Sequence, residues 1–336
     1  MKFVIHPAVD SDRLAKLQSA AGLDTIWVNA ATPAEALAAM PGTDAFLGKL
    51  TPDLLAASDQ LKWAQSFTVS LEHYIFPELV DHPCTLTNMR GLFSDVIADQ
   101  VLGYVICFAR NLHVYIRQQL EHRYEPLGSE TGRVNFAAGP GVVNAIDQAT
   151  IFLPSATMGI VGLGAIGKEV ARRAKAFGMR VIAVDRNPHL FSPNTDVDSV
   201  WGLDNLHTLL AQSEFVVIAA PHTPETVGLF NSQTLALMKA NSYLINIGRG
   251  AIVVLDDLVL ALESQQIAGA ALDVFEVEPL PSNHRLWDFP NVIITPHTAG
   301  YSTAIAGRHL ETLLENVGRF SRNESLINVV DKALWF

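Results

Sequence analysis

Cysteine is nearly absent. Cys84 and Cys107 are the only two in 336 residues, and no C-x-x-C pair occurs. That excludes a disulfide framework and points to a reducing, cytoplasmic setting. Basic clusters are missing as well. The 34 acidic residues outnumber the 23 basic ones, the formal net charge is −11, and there is no Lys/Arg run, so no nucleic-acid partner is expected. Long apolar segments are interrupted. The uncharged stretch from Gln148 to Gly167 has the length of a membrane helix, but Pro154 and several glycines break it, and no membrane association is expected. The N-terminal run in MKFVIHPAVDSDR is too short for a signal peptide. No metal site, low-complexity segment or fixed-period repeat is expected.

The composition is globular, with 49% hydrophobic and 17% charged residues. At roughly 100–200 residues per domain, the length suggests two domains. Short apolar runs alternate with helical patterns. KFVI, MGIVGLG, MRVIAVD, EFVVIAAP, SYLINIG, AGAALDV and NVIITPH read as strands covered on both faces. Ile166, Val170, Ala174 and Phe177 share one helical face, and Gly178 reads as the residue that ends that helix. Alternation of this kind predicts an α/β fold with doubly wound parallel sheets. Towards the N-terminus, KFVIHP, Asp44 to Leu47 and Leu61 to Phe67 supply further strands. Ser94 is expected to cap a long helix running through Val101, Val105 and Phe108 to about Arg117. Residues 121–154 read as a long loop or arm, at the surface or at a subunit contact.

Gly162-Leu163-Gly164-Ala165-Ile166-Gly167 is a G-x-G-x-x-G motif between an apolar strand and an amphipathic helix. That context marks a dinucleotide-binding turn. Its first glycine makes the turn, the second admits a pyrophosphate, and the third packs helix on sheet. The helix N-terminus offers N–H groups to phosphate. Asp185 ends the next strand eighteen residues beyond Gly167 and suits the ribose hydroxyls of NAD. Arg186 follows and could instead pair with the 2′-phosphate of NADP. NAD is the expectation and NADP the alternative.

Three ionisable residues follow later strands: Arg249, Glu278 and His297. Ligands bind outside the carboxyl ends of strands in open parallel sheets. A guanidinium binds a carboxylate in a two-pronged way. A histidine exchanges a proton near neutral pH, and a neighbouring carboxylate orients it and favours its charged form. Each residue alone has an ordinary structural reading: a surface ion pair, a loop histidine, a solvated carboxylate. Together, downstream of a dinucleotide motif, they suit oxidation of a 2-hydroxy acid.

The motifs GIVGLGAIG, INIGRGAIV, GAALDVFEVEPLP and NVIITPHTAG resemble those of the D-isomer-specific 2-hydroxyacid dehydrogenases. This group includes glyoxylate/hydroxypyruvate reductases and 3-phosphoglycerate dehydrogenases. The resemblance implies two Rossmann-like domains with a cleft between them. Residues 1–95 and 299–336 would form a discontinuous substrate-binding domain, and 96–298 an inserted NAD-binding domain. It implies that Arg249 binds substrate, Glu278 supports His297, His297 is the acid/base, and Asp273 tunes the response to pH. Cofactor contacts are expected from Gly162, Gly164, Ala165, Ile166, Gly167, Asp185, Arg186, Pro221, Ile247, Gly248, Arg249, Asp273 and His297. A homodimer is implied, with a small 2-keto or 2-hydroxy acid as the substrate.

The sequence departs from the family in places. Thr68-Val69-Ser70-Leu71-Glu72 stands where S-A-G-V-D is usual. Val69 and Ser70 should hold the substrate carboxylate through backbone N–H groups, but Ser70 would be strained if a positive φ were needed. Arg90 is a candidate for a second polar group of the substrate. Tyr301 either lines the cleft or packs the returning helix. Val253-Val254-Leu255 lacks the usual acidic residue. Glu278 argues against formate dehydrogenase, whose family pattern has glutamine there. Two other readings are a phosphoglycerate-type dehydrogenase and a dinucleotide-sensing protein without turnover.

Overall fold

The structure, a computed structural model, describes residues 1–133, 141–191 and 196–335. The chain divides into two compact units, Met1–Leu92 with Ser302–Phe336 and Phe93–Tyr301.

The first unit holds β1 (Lys2–His6), β2 (Ile26–Asn29), β3 (Ala45–Gly48), β4 (Trp63–Gln65) and β5 (Thr85–Thr87). All pair in parallel, in the order β2-β1-β3-β4-β5. This is the flavodoxin-like winding, which reverses between β1 and β3. The candidate loops 66–70 and 88–91 leave the carboxyl ends of the neighbouring strands β4 and β5. The helix Ile305–Ser321 returns to this unit and buries Leu313, Asn316 and Val317. Strands β2 and β5 were not legible beforehand. β2 is an edge strand with no fully buried residue, and β5 is only three residues long.

The second unit holds β6 (Thr157–Val161), β7 (Arg180–Val184), β8 (Ser199–Trp201), β9 (Phe215–Ile218), β10 (Tyr243–Asn246), β11 (Gly269–Leu272) and β12 (Val292–Ile294). Their order is β12-β11-β10-β9-β6-β7-β8, all parallel. The winding reverses at the β6/β9 neighbour pair, so the glycine turn after β6 sits at the switch point where such sheets bind ligands. Every residue of β6, β9 and β11 is buried, which explains their unbroken apolar sequences. Both sheets fit the expected mixed α/β class.

Four local expectations are corrected. The helix from Ser94 stops at Ala109 and a separate one spans Leu112–Leu120. Between them Asn111 takes a left-handed conformation (φ 58°), which asparagine tolerates, and its buried amide donates to the Ala149 carbonyl at 2.6 Å. Ser94 is the first helical residue, not the cap; Phe93 occupies that place without a side-chain bond. Phe177 is 43% exposed and caps the helix Ala165–Ala176 instead of lying on its buried face. The 121–154 segment is not a featureless loop. It contains helical turns at Glu130–Gly132, Ala145–Gln148 and Leu153–Ser155, the middle one held by an Asn144–Asp147 capping box. Residues 134–140 of that segment lie outside the described residues. Among the described residues, no helix is long and apolar enough to cross a membrane.

Candidate active site

The glycine turn has the shape a pyrophosphate needs. Gly162 has φ +94° and faces the Ala219–Ala220 backbone so closely that a Cβ would sit 2.9 Å from the Ala220 Cα. A Cβ on Gly167 would lie 2.2 Å from the Gly162 carbonyl oxygen, so helix and turn can touch only there as glycine. In front of Gly164, by contrast, there is open space. Gly164 begins the helix Ala165–Ala176 with no side-chain cap, which leaves the first-turn N–H groups of Ala165 and Ile166 facing outward for an anion. These residues fit a dinucleotide.

Asp185 ends β7 beside this turn. Its Oδ2 accepts the Leu163 N–H at 2.8 Å and its Oδ1 the Asn187 N–H at 2.9 Å, so the carboxylate braces the glycine turn. Arg186 pairs with Glu225 at 3.1 Å. Pro221 is exposed after β9, and its carbonyl accepts the Thr226 hydroxyl at 2.8 Å.

The register Asn246–Leu272–Ile294 aligns the carboxyl ends of β10, β11 and β12. Arg249, Asp273 and His297 follow those ends one after another. Ile247 is buried, and the Gly248-Arg249 turn is gripped by Asn246. The Asn246 Oδ1 accepts the Gly248 N–H at 3.1 Å and its Nδ2 donates to the Arg249 carbonyl at 3.0 Å. Arg249 is half-buried, and its Nη1 donates to the Gly248 carbonyl at 2.8 Å.

His297 and Glu278 meet. The imidazole Nδ1 lies 2.7 Å from the Glu278 Oε2, while the Glu278 Oε1 accepts the Phe275 N–H at 2.9 Å. Both carboxylate oxygens are therefore engaged. With Nδ1 donating to a carboxylate, Nε2 is left as the nitrogen that exchanges a proton. The histidine side chain is half exposed, and the backbone at His297 is left-handed, with φ 53°.

Asp273 is 2% exposed and lies beneath this loop. Its carbonyl accepts the His297 N–H at 2.9 Å, its Oδ1 the Thr298 N–H at 2.9 Å, and its Oδ2 the Ala299 N–H at 2.9 Å. Tyr301 is 81% exposed. The missing acidic residue after Arg249 has a local counterpart: Val254 caps the helix Leu255–Glu263, whose first turn carries Asp256 and Asp257.

In the first unit, the 66–70 loop is stitched by hydroxyls. Ser66 Oγ accepts the Thr68 N–H at 3.1 Å, Thr68 Oγ1 donates to the Ser70 carbonyl at 2.7 Å, and Asn88 Nδ2 donates to the half-buried Val69 carbonyl at 2.9 Å. Ser70 is outside the positive-φ region, so the strain feared for a serine there does not arise. Arg90 is exposed, and its N–H donates to the Asn88 Oδ1 at 3.1 Å. Sequence reasoning did not single out Asn246, Thr295 or Tyr104. Asn246 had a signal, a polar residue ending an apolar strand; Tyr104 had none, because it reads as part of an apolar helix.

This geometry is that of a nicotinamide-dependent dehydrogenase: a phosphate cradle at the switch point and an Arg/His/Glu set on neighbouring strand ends. Residues 102–299 match the family described as D-isomer specific 2-hydroxyacid dehydrogenase, NAD binding domain. The chain belongs to this family. It is 31% identical to a glyoxylate reductase of Thermofilum pendens, over 84% of this chain and 79% of that one. It is 38% identical to a glyoxylate/hydroxypyruvate reductase A of Serratia proteamaculans, over 71% of this chain and 68% of that one. A crystal structure of a D-isomer specific 2-hydroxyacid dehydrogenase from Xanthobacter autotrophicus, in complex with NADPH and MES, is similar over 99% of this chain and 98% of that one. The TM-score is 0.76 and the identity 30%. The protein is an NAD(P)-dependent oxidoreductase acting on CH–OH groups.

Proposed function

We propose that the protein interconverts a small 2-keto acid and its D-2-hydroxy acid with NAD(H), glyoxylate and hydroxypyruvate being the first substrates to test. The observation that carries this reading is the 2.7 Å His297–Glu278 pair, next along the strand ends from Arg249. A nicotinamide held by the glycine turn would supply or accept the hydride at C2. During reduction, protonated His297 gives its Nε2 proton to the carbonyl oxygen. Glu278 holds the imidazole in orientation and offsets its charge. Arg249 binds the carboxylate and polarises the carbonyl. The Val69 and Ser70 N–H groups are further carboxylate donors, and Arg90 recognises a second polar group of the substrate. Asp185 favours NAD: its carboxylate at the end of β7 opposes a 2′-phosphate, and Arg186 is already paired with Glu225.

We also read the protein as a cytoplasmic homodimer. Leu112, Ile116 and Leu120 along one helix, with Val142, Val143 and Phe152 beyond it, are all well exposed apolar side chains of the second unit. A monomer in light scattering would remove that reading.

The deciding experiment measures NADH and NADPH oxidation with a panel of 2-keto acids, with His297→Ala as control. Positioned acid/base catalysis is worth about 10²–10⁴-fold, so the variant should lose at least that while still binding cofactor. Full turnover in His297→Ala would overturn the assignment.

A further inference from the structure

Behind the histidine loop, three elements of the second unit join through a chain of hydroxyls. The Tyr104 hydroxyl, on the helix Ser94–Ala109, lies 2.5 Å from Thr295 Oγ1. Thr295 Oγ1 lies 2.5 Å from Asp273 Oδ1. The direction of the chain follows from the proton count. Threonine has one hydroxyl proton, and an ionised carboxylate can only accept, so that proton goes to Asp273. Tyr104 must then donate to Thr295. Burial pushes the Tyr104 phenol above its usual range against the opposing hydrogen bonds of Thr295 and Gln100, and the Asp273 charge adds to the rise, so the donor keeps its proton. Tyr104 is 3% exposed, and nothing in the proposed reaction uses it.

The far end of the chain is the residue on which the histidine loop hangs. Asp273 receives the backbone N–H groups of His297, Thr298 and Ala299, through its carbonyl, Oδ1 and Oδ2 respectively. These bonds oppose the relaxation of a histidine held in a left-handed conformation. Asp273 Oδ1 is shared between Thr295 and Thr298, so the Thr295 hydroxyl sets the rotation of the carboxylate together with the Thr298 and Ala299 N–H groups. Hydrogen bonds in a chain reinforce one another in a low-dielectric interior.

We propose that Tyr104 is a positioning residue for the acid/base: through Thr295 it fixes the Asp273 carboxylate, which fixes the backbone that aims His297. This rests on the reading of His297 given above. Tyr104→Phe keeps the ring and removes the donor. The kcat for keto-acid reduction should fall about tenfold, within the ~10²-fold that a 1 Å misplacement can cost. The KM for keto acid and the Kd for NADH, read by fluorescence, should stay unchanged. Amide hydrogen exchange over residues 296–300 should quicken.

Thr295→Val breaks the same chain at its middle and should copy these effects, while Thr295→Ser, which keeps the hydroxyl, should restore wild-type kcat. The double variant Tyr104→Phe/Thr295→Val should be no slower than Thr295→Val alone, because the tyrosine acts through the threonine. Wild-type kcat and exchange in Tyr104→Phe, or additive losses in the double variant, overturn the proposal while leaving His297 in its role. Full turnover in His297→Ala removes that role and the proposal with it. If Tyr104→Phe does not fold, the Thr295→Val and Thr295→Ser pair decides: equal kcat in the two overturns the proposal.

Discussion

The two parallel sheets end their strands in different chemistry. In the seven-stranded sheet, β10, β11 and β12 run into Arg249, Asp273 and His297, side chains that carry or exchange charge. In the five-stranded sheet, β4 and β5 run into Ser66, Thr68 and Asn88, neutral side chains whose polar atoms are used up on the local backbone. Beneath them the same style continues. Buried Asn316 donates to Gln65 Oε1 at 2.9 Å, and Thr87 donates to that same oxygen at 2.8 Å. Trp63 Nε1 in turn donates to Thr87 Oγ1 at 2.8 Å. On the proposed reading, one sheet holds the reactive groups in place, and the other holds the shape of loops. We therefore expect the first to tolerate no displacement and the second to tolerate changes of side chain as long as its buried bonds survive.

The sharpest way to break this contrast is at Gly250. A Cβ there would lie 1.8 Å from the Phe275 carbonyl carbon, so Gly250→Ala must push the Arg249 turn away from the Glu278 turn. We expect kcat/KM to fall by about 10²-fold or more, as for an ångström-scale misplacement. Hydrogen exchange in β1–β5 should be unchanged; faster exchange there would show that the two sheets are not independent.

Asn316→Ala tests the other side. It leaves the Ile327 N–H, now bonded to Asn316 Oδ1 at 2.8 Å, without its partner. An orphaned buried group costs about 1–3 kcal/mol. The opening free energy read from exchange in the first unit should fall by that amount, while NADH affinity stays the same. A loss of NADH affinity would contradict the division of roles.

Acid should weaken both units through buried histidines. Burial holds His82 and His309 in the first unit and His113 in the second below the usual histidine range. A depressed histidine is neutral in the fold and charges more readily when unfolded. Its contribution is therefore complete above the unfolded value, near 6.5, and is lost as pH falls below it. Tm should drop between pH 7 and 5, and His309→Gln or His113→Gln should flatten that drop. An unchanged slope in both variants would exclude these residues as the cause.

The smallest effect is expected at Ser70. Its backbone needs no glycine, so Ser70→Gly should lower stability by less than about 1 kcal/mol, through added chain entropy. An increase in stability would mean that serine is strained there after all.

What could be read in advance follows the same contrast. Most strands of the seven-stranded sheet are largely buried and carry unbroken apolar runs, and charged residues follow several of them, so the two stood out together. The exception is β8, a three-residue edge strand with no fully buried member. In the five-stranded sheet, β2 and β5 are short or half-exposed, and propensity alone cannot separate them from loops. The break at Asn111 was invisible because the apolar helical pattern runs on across it. The hydroxyl chain from Tyr104 was invisible for another reason: it joins residues 191 positions apart, and only the packing of helix against sheet brings them together.

The left-handed backbone at His297 has a consequence for how this sequence can drift. A non-glycine residue there costs about 1–2 kcal/mol, and glycine or asparagine would bear it more easily. On the reading that His297 is the acid/base, a library of variants screened for heat resistance alone should therefore lose the histidine early and end with a hardier protein that turns nothing over. On that reading, only selection for turnover would keep the residue in place.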